Sequence, residues 1–182
     1  MAPSGEGYAS DQEIDALVGK NVLAAFPALE PVKSGKYSEG FGDLAEVRGA
    51  RTGDDLQWIA AAAIGPQDAR KGYFVAGWSI RSFAYHLEQQ LKSDLRNANK
   101  DKKAEPPLLY VFVVVGGKAF GAPITPEVNR AAIQNLSILD KMPASGLLRG
   151  RLEIENRSFG YAAQKPKLLG DKAAIVVLRS EV

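Results

Sequence analysis

Between Gly72 and Leu95 the chain changes its hydrophobic rhythm. GYFVAGWSI has the aromatic and β-branched content of a strand. From Ile80 the period lengthens: Ile80, Phe83, Ala84, Leu87, Leu91 and Leu95 fall at i, i+3, i+4, i+7, i+11 and i+15, one stripe on a helix of 3.6 residues per turn. Ser79 stands where the period switches and is a good N-cap. The pattern predicts a strand feeding directly into a helix whose apolar face folds back over a sheet.

The same criterion divides the rest of the chain. Ser10 to Leu29 reads as a helix, capped by Ser10 or Asp11, with Ile14, Leu17, Val18, Val22 and Ala25 at helical spacing, weakened by Gly19 and ended by Pro27 and Pro31. KSGKYSEGFGDL is rich in Gly and Ser and reads as a loop. LQWIAAAAIG is short and bounded by TGDD and GPQD, so a closely packed strand is expected despite the helix propensity of its alanines. NANKDKKAEPP reads as a solvated connector. LLYVFVVV is apolar on both alternating faces, the pattern of a central strand, and Gly116–Gly117 turns it into KAFGAP as a hairpin. TPEVNRAAIQNL is expected to be a short helix with Thr125 as cap and Pro126 at its first position. RGRLEI and SFGYAAQ form a second hairpin around ENR, KPKLLGDK is a loop, and AAIVVLRS is the last strand. Local strand pairing with one crossing helix argues for an α+β fold and against a doubly wound parallel sheet.

Composition changes this picture little. A chain of 182 residues, 46% hydrophobic and 24% charged, has enough material for one domain with a core. A net charge of +2, with no cationic stripe interleaved with aromatics, gives no argument for nucleic acid. With no cysteine, disulfides, thiolate catalysis and cysteine-built zinc sites are excluded. No apolar run approaches the roughly 20 residues that span a bilayer, and MAPSGEGYAS has no signal-peptide pattern. The final AAIVVLRSEV ends straight out of a strand, which suggests a piece of a longer protein.

Catalytic signatures fail in turn. The single histidine, His86, lies about 120° from the centre of the apolar stripe at roughly 100° per residue, and no second His or Cys exists to build a zinc site with it. No GxGxxG follows a strand into a helix, and no GxxxxGK[ST] occurs. The pairs Asp54/Asp55 and Glu153/Glu155 read as solvated surface. No metal or cofactor site emerges, and the sequence points to a non-enzyme.

The strand-to-helix corner is the best clue to function. Trp78, Ser79 and Arg81 place a cation beside the positive end of a helix, an arrangement that suits a small anion. Trp58 and Tyr85 offer an aromatic wall and a polar tip, and Tyr110, Phe112 and Lys118 come from the central hairpin. The plainer alternative is that the aromatics are core and Arg81 pairs with a surface carboxylate.

The leading helix, the pair LQWIAAAAIG and KGYFVAGWSI, the helix SFAYHLEQQL, the two hairpins and AAIVVLRSEV together resemble the PAS-like sensor domains of bacterial signal-transduction proteins, especially the single Cache domains of chemoreceptors and sensor kinases. The resemblance runs from about Asp11 onward and rests on element order. It implies a central antiparallel sheet of about five to six strands, a long N-terminal helix over residues 1–35, and a sensor domain over 36–182 with a helix crossing the sheet. It further implies a small ligand between helix and sheet and a signal passed to an output module; Trp58, Trp78, Arg81, Tyr85, Tyr110, Phe112 and Lys118, singled out above, are the candidates to bind it. The amino-acid-binding pattern of Arg, Trp and Tyr with a downstream Asp is absent, so a small organic acid fits better. Homodimerisation through the leading helix, and an extracytoplasmic location with membrane segments outside this stretch, complete that expectation. The alternative is a cytoplasmic PAS- or GAF-like dimerisation or protein-interaction module without a small ligand.

Overall fold

The computed structural model describes residues 1–2, 4, 6–7, 18–43, 56–69, 71–100 and 107–181. The fold is α+β, in two compact units, Met1–Ile80 and Arg81–Val182.

In the first unit a short helix α1 (Val22–Ala25) is capped by the Asn21 side chain, which accepts from the Ala24 N–H. The chain then continues in 3-10 conformation over Pro27–Ser34. The single long helix expected from Ser10 to Leu29 is thus corrected within the described residues. Val18 to Asn21 form bridges and a turn around Gly19 at φ 74°, and the prolines carry the chain into a tighter helix. Residues 10–17 of the expected helix lie outside the described residues.

A three-stranded antiparallel sheet follows, in the order β1 (Ser38–Asp43), β2 (Leu56–Ile64), β3 (Gly72–Ser79). Strand β1 occupies the stretch expected to be loop. Its glycines serve close packing: a Cβ on Gly42 would fall 1.9 Å from the Phe26 ring, and one on Gly40 would fall 2.6 Å from the Ala28 Cβ. LQWIAAAAIG is a strand, as its boundaries indicate. Ile59 and Ala61 face a core of Val22, Leu23, Phe26, Leu29, Val32 and Tyr73, and the small alanine lets the helical layer approach closely.

The second unit is built on five antiparallel strands in the order β5-β4-β8-β7-β6. These are β4 (Leu109–Val115), β5 (Lys118–Gly121), β6 (Leu147–Ile154), β7 (Arg157–Gln164) and β8 (Ala173–Ser180). Helix α2 (Ile80–Ala98) leaves β3 without an intervening loop, so the change of period after Ser79 marks the element boundary. Its most buried line is Ile80, Ala84 and Glu88, while Phe83, Leu87, Leu91 and Leu95 are half-buried. The deepest side is therefore rotated away from the leucines and passes through a carboxylate. Helix α3 (Glu127–Asn135) sends Ile133 into the core with Phe112, Val114, Ile138, Phe159, Val176 and Leu178. Both hairpins turn on left-handed pairs: Gly116–Gly117 at φ 56° and 84°, and Glu155–Asn156 at 49° and 63°.

Candidate functional site

Three pieces of the second unit carry the polar chemistry of interest: the first turn of α2, the end of β5, and the entry to α3. Arg81 is the second residue of α2, and its Nε is buried with no hydrogen-bond partner among the described residues. Thr125 Oγ1 is in the same state. The hydroxyl does not cap α3: the cap position is Pro126, without a side-chain bond, and the helix starts at Glu127, which corrects the expected Thr125 cap. Thr125 instead turns toward the sheet. A Cβ on Gly121 would lie 3.0 Å from its Oγ1 and 3.1 Å from the Phe112 ring, so hydroxyl, glycine and aromatic converge at the end of β5.

Charge converges there too. Arg130 forks onto Glu127, its Nε donating to Oε2 at 2.8 Å and its Nη2 to Oε1. That hydrogen bonding holds the Glu127 carboxyl below the usual carboxylate range, and the charges of Arg130 and Arg81 act in the same direction. Two residues on from Thr125, then, lies a carboxylate within the electrostatic reach of Arg81. A buried guanidinium N–H and a buried hydroxyl left unbonded each forfeit about 1–3 kcal/mol. Each is a donor of the kind a carboxylate oxygen accepts from.

The seven residues singled out from the sequence fall into separate settings. Trp58 and Trp78 face each other across β2 and β3 in the first unit, with Phe41 edge-on to Trp58 at 4.7 Å. They lie on the face of the three-stranded sheet turned away from its core. In the second unit, Tyr85 is exposed and edge-on to His86 at 5.5 Å. Tyr110 is half-buried under Lys92, whose Nζ stands 5.9 Å from the ring centroid. Phe112 is 0% exposed and belongs to the core, while Lys118 pairs with Val115 and alternation puts it on the opposite sheet face from Phe112. Arg81 alone of the seven has an orphaned buried polar atom among the described residues.

The second unit has a cleft of about 410 Å³ between the β4–β5 turn and the end of α3, lined by Val114, Gln134, Ile138, Asp171 and Lys172 among others. A groove of about 440 Å³ runs over Leu147, Ala162, Ile175 and Val177. None of the seven residues lines either hollow. Thr125, Glu127 and Arg130 do not stand out in the sequence because TPEVNR reads as an ordinary helix start; the i, i+3 spacing of Glu127 and Arg130 is the one signal it carries. Among the described residues no group of three His, Cys, Asp or Glu is placed to hold a metal, and no helix is long and apolar enough to cross a membrane.

No family model and no curated protein matches the sequence. Solved structures do match. The extracellular domain assigned to the histidine kinase vpHK1S-Z8 aligns over 88% of this chain and 56% of its own, with a TM-score of 0.50 at 14% identity. The chain shares the fold of that extracellular domain. A domain assigned to the sensory box/GGDEF family from Vibrio parahaemolyticus aligns over 87% of this chain and 58% of its own, with a TM-score of 0.49 at 14% identity. The sensor domain of the V. cholerae histidine kinase DctB aligns over 99% and 70%, with a TM-score of 0.46 at 15% identity. The chain spans a little over half the length of the first two.

Proposed function

We propose that the chain is a ligand-sensing module of a signal-transduction protein, placed outside the cytoplasm, which binds a small carboxylate at Arg81 and Thr125. The pair of orphaned buried polar atoms, the Nε of one and the Oγ1 of the other, carries this reading. An extracellular domain of the same fold supports the sensor role and a binding rather than a catalytic task. A ligand shifts such a module only by its difference in affinity for two packings. Arg81 opens α2, so an anion drawn to it acts on the start of a helix of 19 residues.

Isothermal titration with acetate, malonate and succinate tests the reading. Wild type is expected to give a saturable heat with at least one of them, and Arg81→Ala to weaken it by about 10- to 100-fold, the worth of a charge-assisted hydrogen bond. Equal heats for both proteins would remove Arg81 from the site.

A second reading, a dimerisation module, is favoured by one observation. The outer face of the three-stranded sheet exposes Phe74 at 64%, Trp78 at 47% and Ile64 at 47%. The apolar residues of α1, Val22 and Leu23, are buried in the unit's own core, so this sheet face, and not α1, would pair with a second copy. Sedimentation would then show a concentration-dependent dimer that Phe74→Ser with Trp78→Ser abolishes; an unchanged monomer in both proteins would dismiss it.

A further inference from the structure

Glu88 is 1% exposed, the most deeply buried charged side chain among the described residues, and nothing in the ligand reading uses it. Its two carboxylate oxygens have separate tasks. Oε2 accepts from the Val111 backbone N–H at 3.0 Å, and Oε1 accepts from Lys92 Nζ at 2.6 Å. Strand topology explains why that N–H needs an outside partner. Toward β8, the backbone groups of Leu108 and Gly116 make the bonds: Ser180 N donates to Leu108 O at 2.9 Å, and Gly116 N to Lys172 O at 3.2 Å. By alternation Val111 points the other way, to the β5 side. Strand β5 ends there, its last pair being Gly121 with Phe112, one residue short of Val111. The short strand leaves the Val111 N–H without a β5 partner, and a helix side chain fills the place.

We infer that Glu88 is a catch fixing the register of α2 on the five-stranded sheet. The register is unique because a slide of one helical turn would bring up Ala84 or Lys92, neither of which offers an acceptor, and would leave Val111 N–H orphaned in the interior. The link is also reversible in a way apolar packing is not. It is one charged hydrogen bond, steadied by a lysine whose side chain is 32% exposed. Release leaves no intermediate register, so α2 is either caught or free. Arg81 lies seven positions earlier on the same helical face, about 10 Å along the axis at ~1.5 Å per residue, so the catch also fixes where Arg81 is held.

The test needs no ligand. Amide exchange at Val111 is followed by NMR in the whole chain, together with a spin-label distance from Asp94→Cys on α2 to Glu153→Cys on β6. Wild type is expected to protect Val111 and give one narrow distance. Glu88→Ala is expected to speed exchange there by about 10- to 100-fold and to broaden the distance, with the other β4 amides still protected. Glu88→Gln keeps an acceptor oxygen and is expected to hold the narrow distance while losing part of the protection. Should Glu88→Ala fail to fold, Lys92→Met serves in its place: the carboxylate remains, and Val111 exchange rises without loss of the fold. Protection and distance unchanged in Glu88→Ala, or in Lys92→Met where it stands in, would overturn the inference.

Discussion

At the scale of single residues, what decides the molecule's chemistry is whether a buried polar atom has a partner. Glu88 has two, and Arg81 Nε and Thr125 Oγ1 have none among the described residues; at the surface, the exposed Glu127 sits in the fork of Arg130. The Glu127 carboxyl is held low in the folded protein, so its contribution is present above its unfolded value and disappears as pH falls through the depressed folded one. In Arg130→Ala the Glu127 carboxyl is expected to titrate nearer the ordinary carboxylate range, read from its side-chain carbon shift during a pH titration. An unmoved titration would assign the depression to another group. The sequence shows Arg81 because a cation after a strand-to-helix switch is visible in one dimension. It does not show Thr125 or Glu88. A threonine before Pro-Glu looks like a cap, and a glutamate one position from a leucine stripe looks solvated; only the end of β5 reveals what each side chain meets.

At the scale of elements, hydrophobic period reads strands and helices where side chains alone decide the packing. The switch at Ser79, the central strand β4 and both hairpins follow from it. It fails at β1, where Gly40 and Gly42 serve close approach to Ala28 and Phe26 and look like loop composition. It fails again after Pro27, where the chain tightens into 3-10 turns through a second proline. The β6–β7 hairpin carries a local cost: Glu155 holds φ 49° without the tolerance of Asn or Gly. Glu155→Asn is expected to stabilise the protein by about 0.5–1 kcal/mol. That corresponds to a rise of roughly 1–4 °C in melting temperature for a chain of this size. No rise would mean that the turn relaxes in solution.

At the scale of the whole molecule, the strands fall into a sheet of three and a sheet of five, each with its own core. Local pattern tells which residues are strands, but pairing across a helix of 19 residues depends on contacts that no short window contains. The α+β class was legible in element order; the division into two sheets was not. Of the proposed anion site, only the cation Arg81 was legible in the sequence. The aromatic candidates Trp58 and Trp78 belong to the first unit, and Phe112 is core. The central claim, a carboxylate held by Arg81 in the second unit, has a direct probe. Titrating succinate, acetate or malonate into isotope-labelled protein, while observing the Arg81 side-chain Nε–H resonance, is expected to move that peak and the amides of Gly121 to Glu127 along one saturation curve. A saturable response elsewhere in the protein with the Arg81 peak unmoved, or no response to any of the three acids, would contradict it.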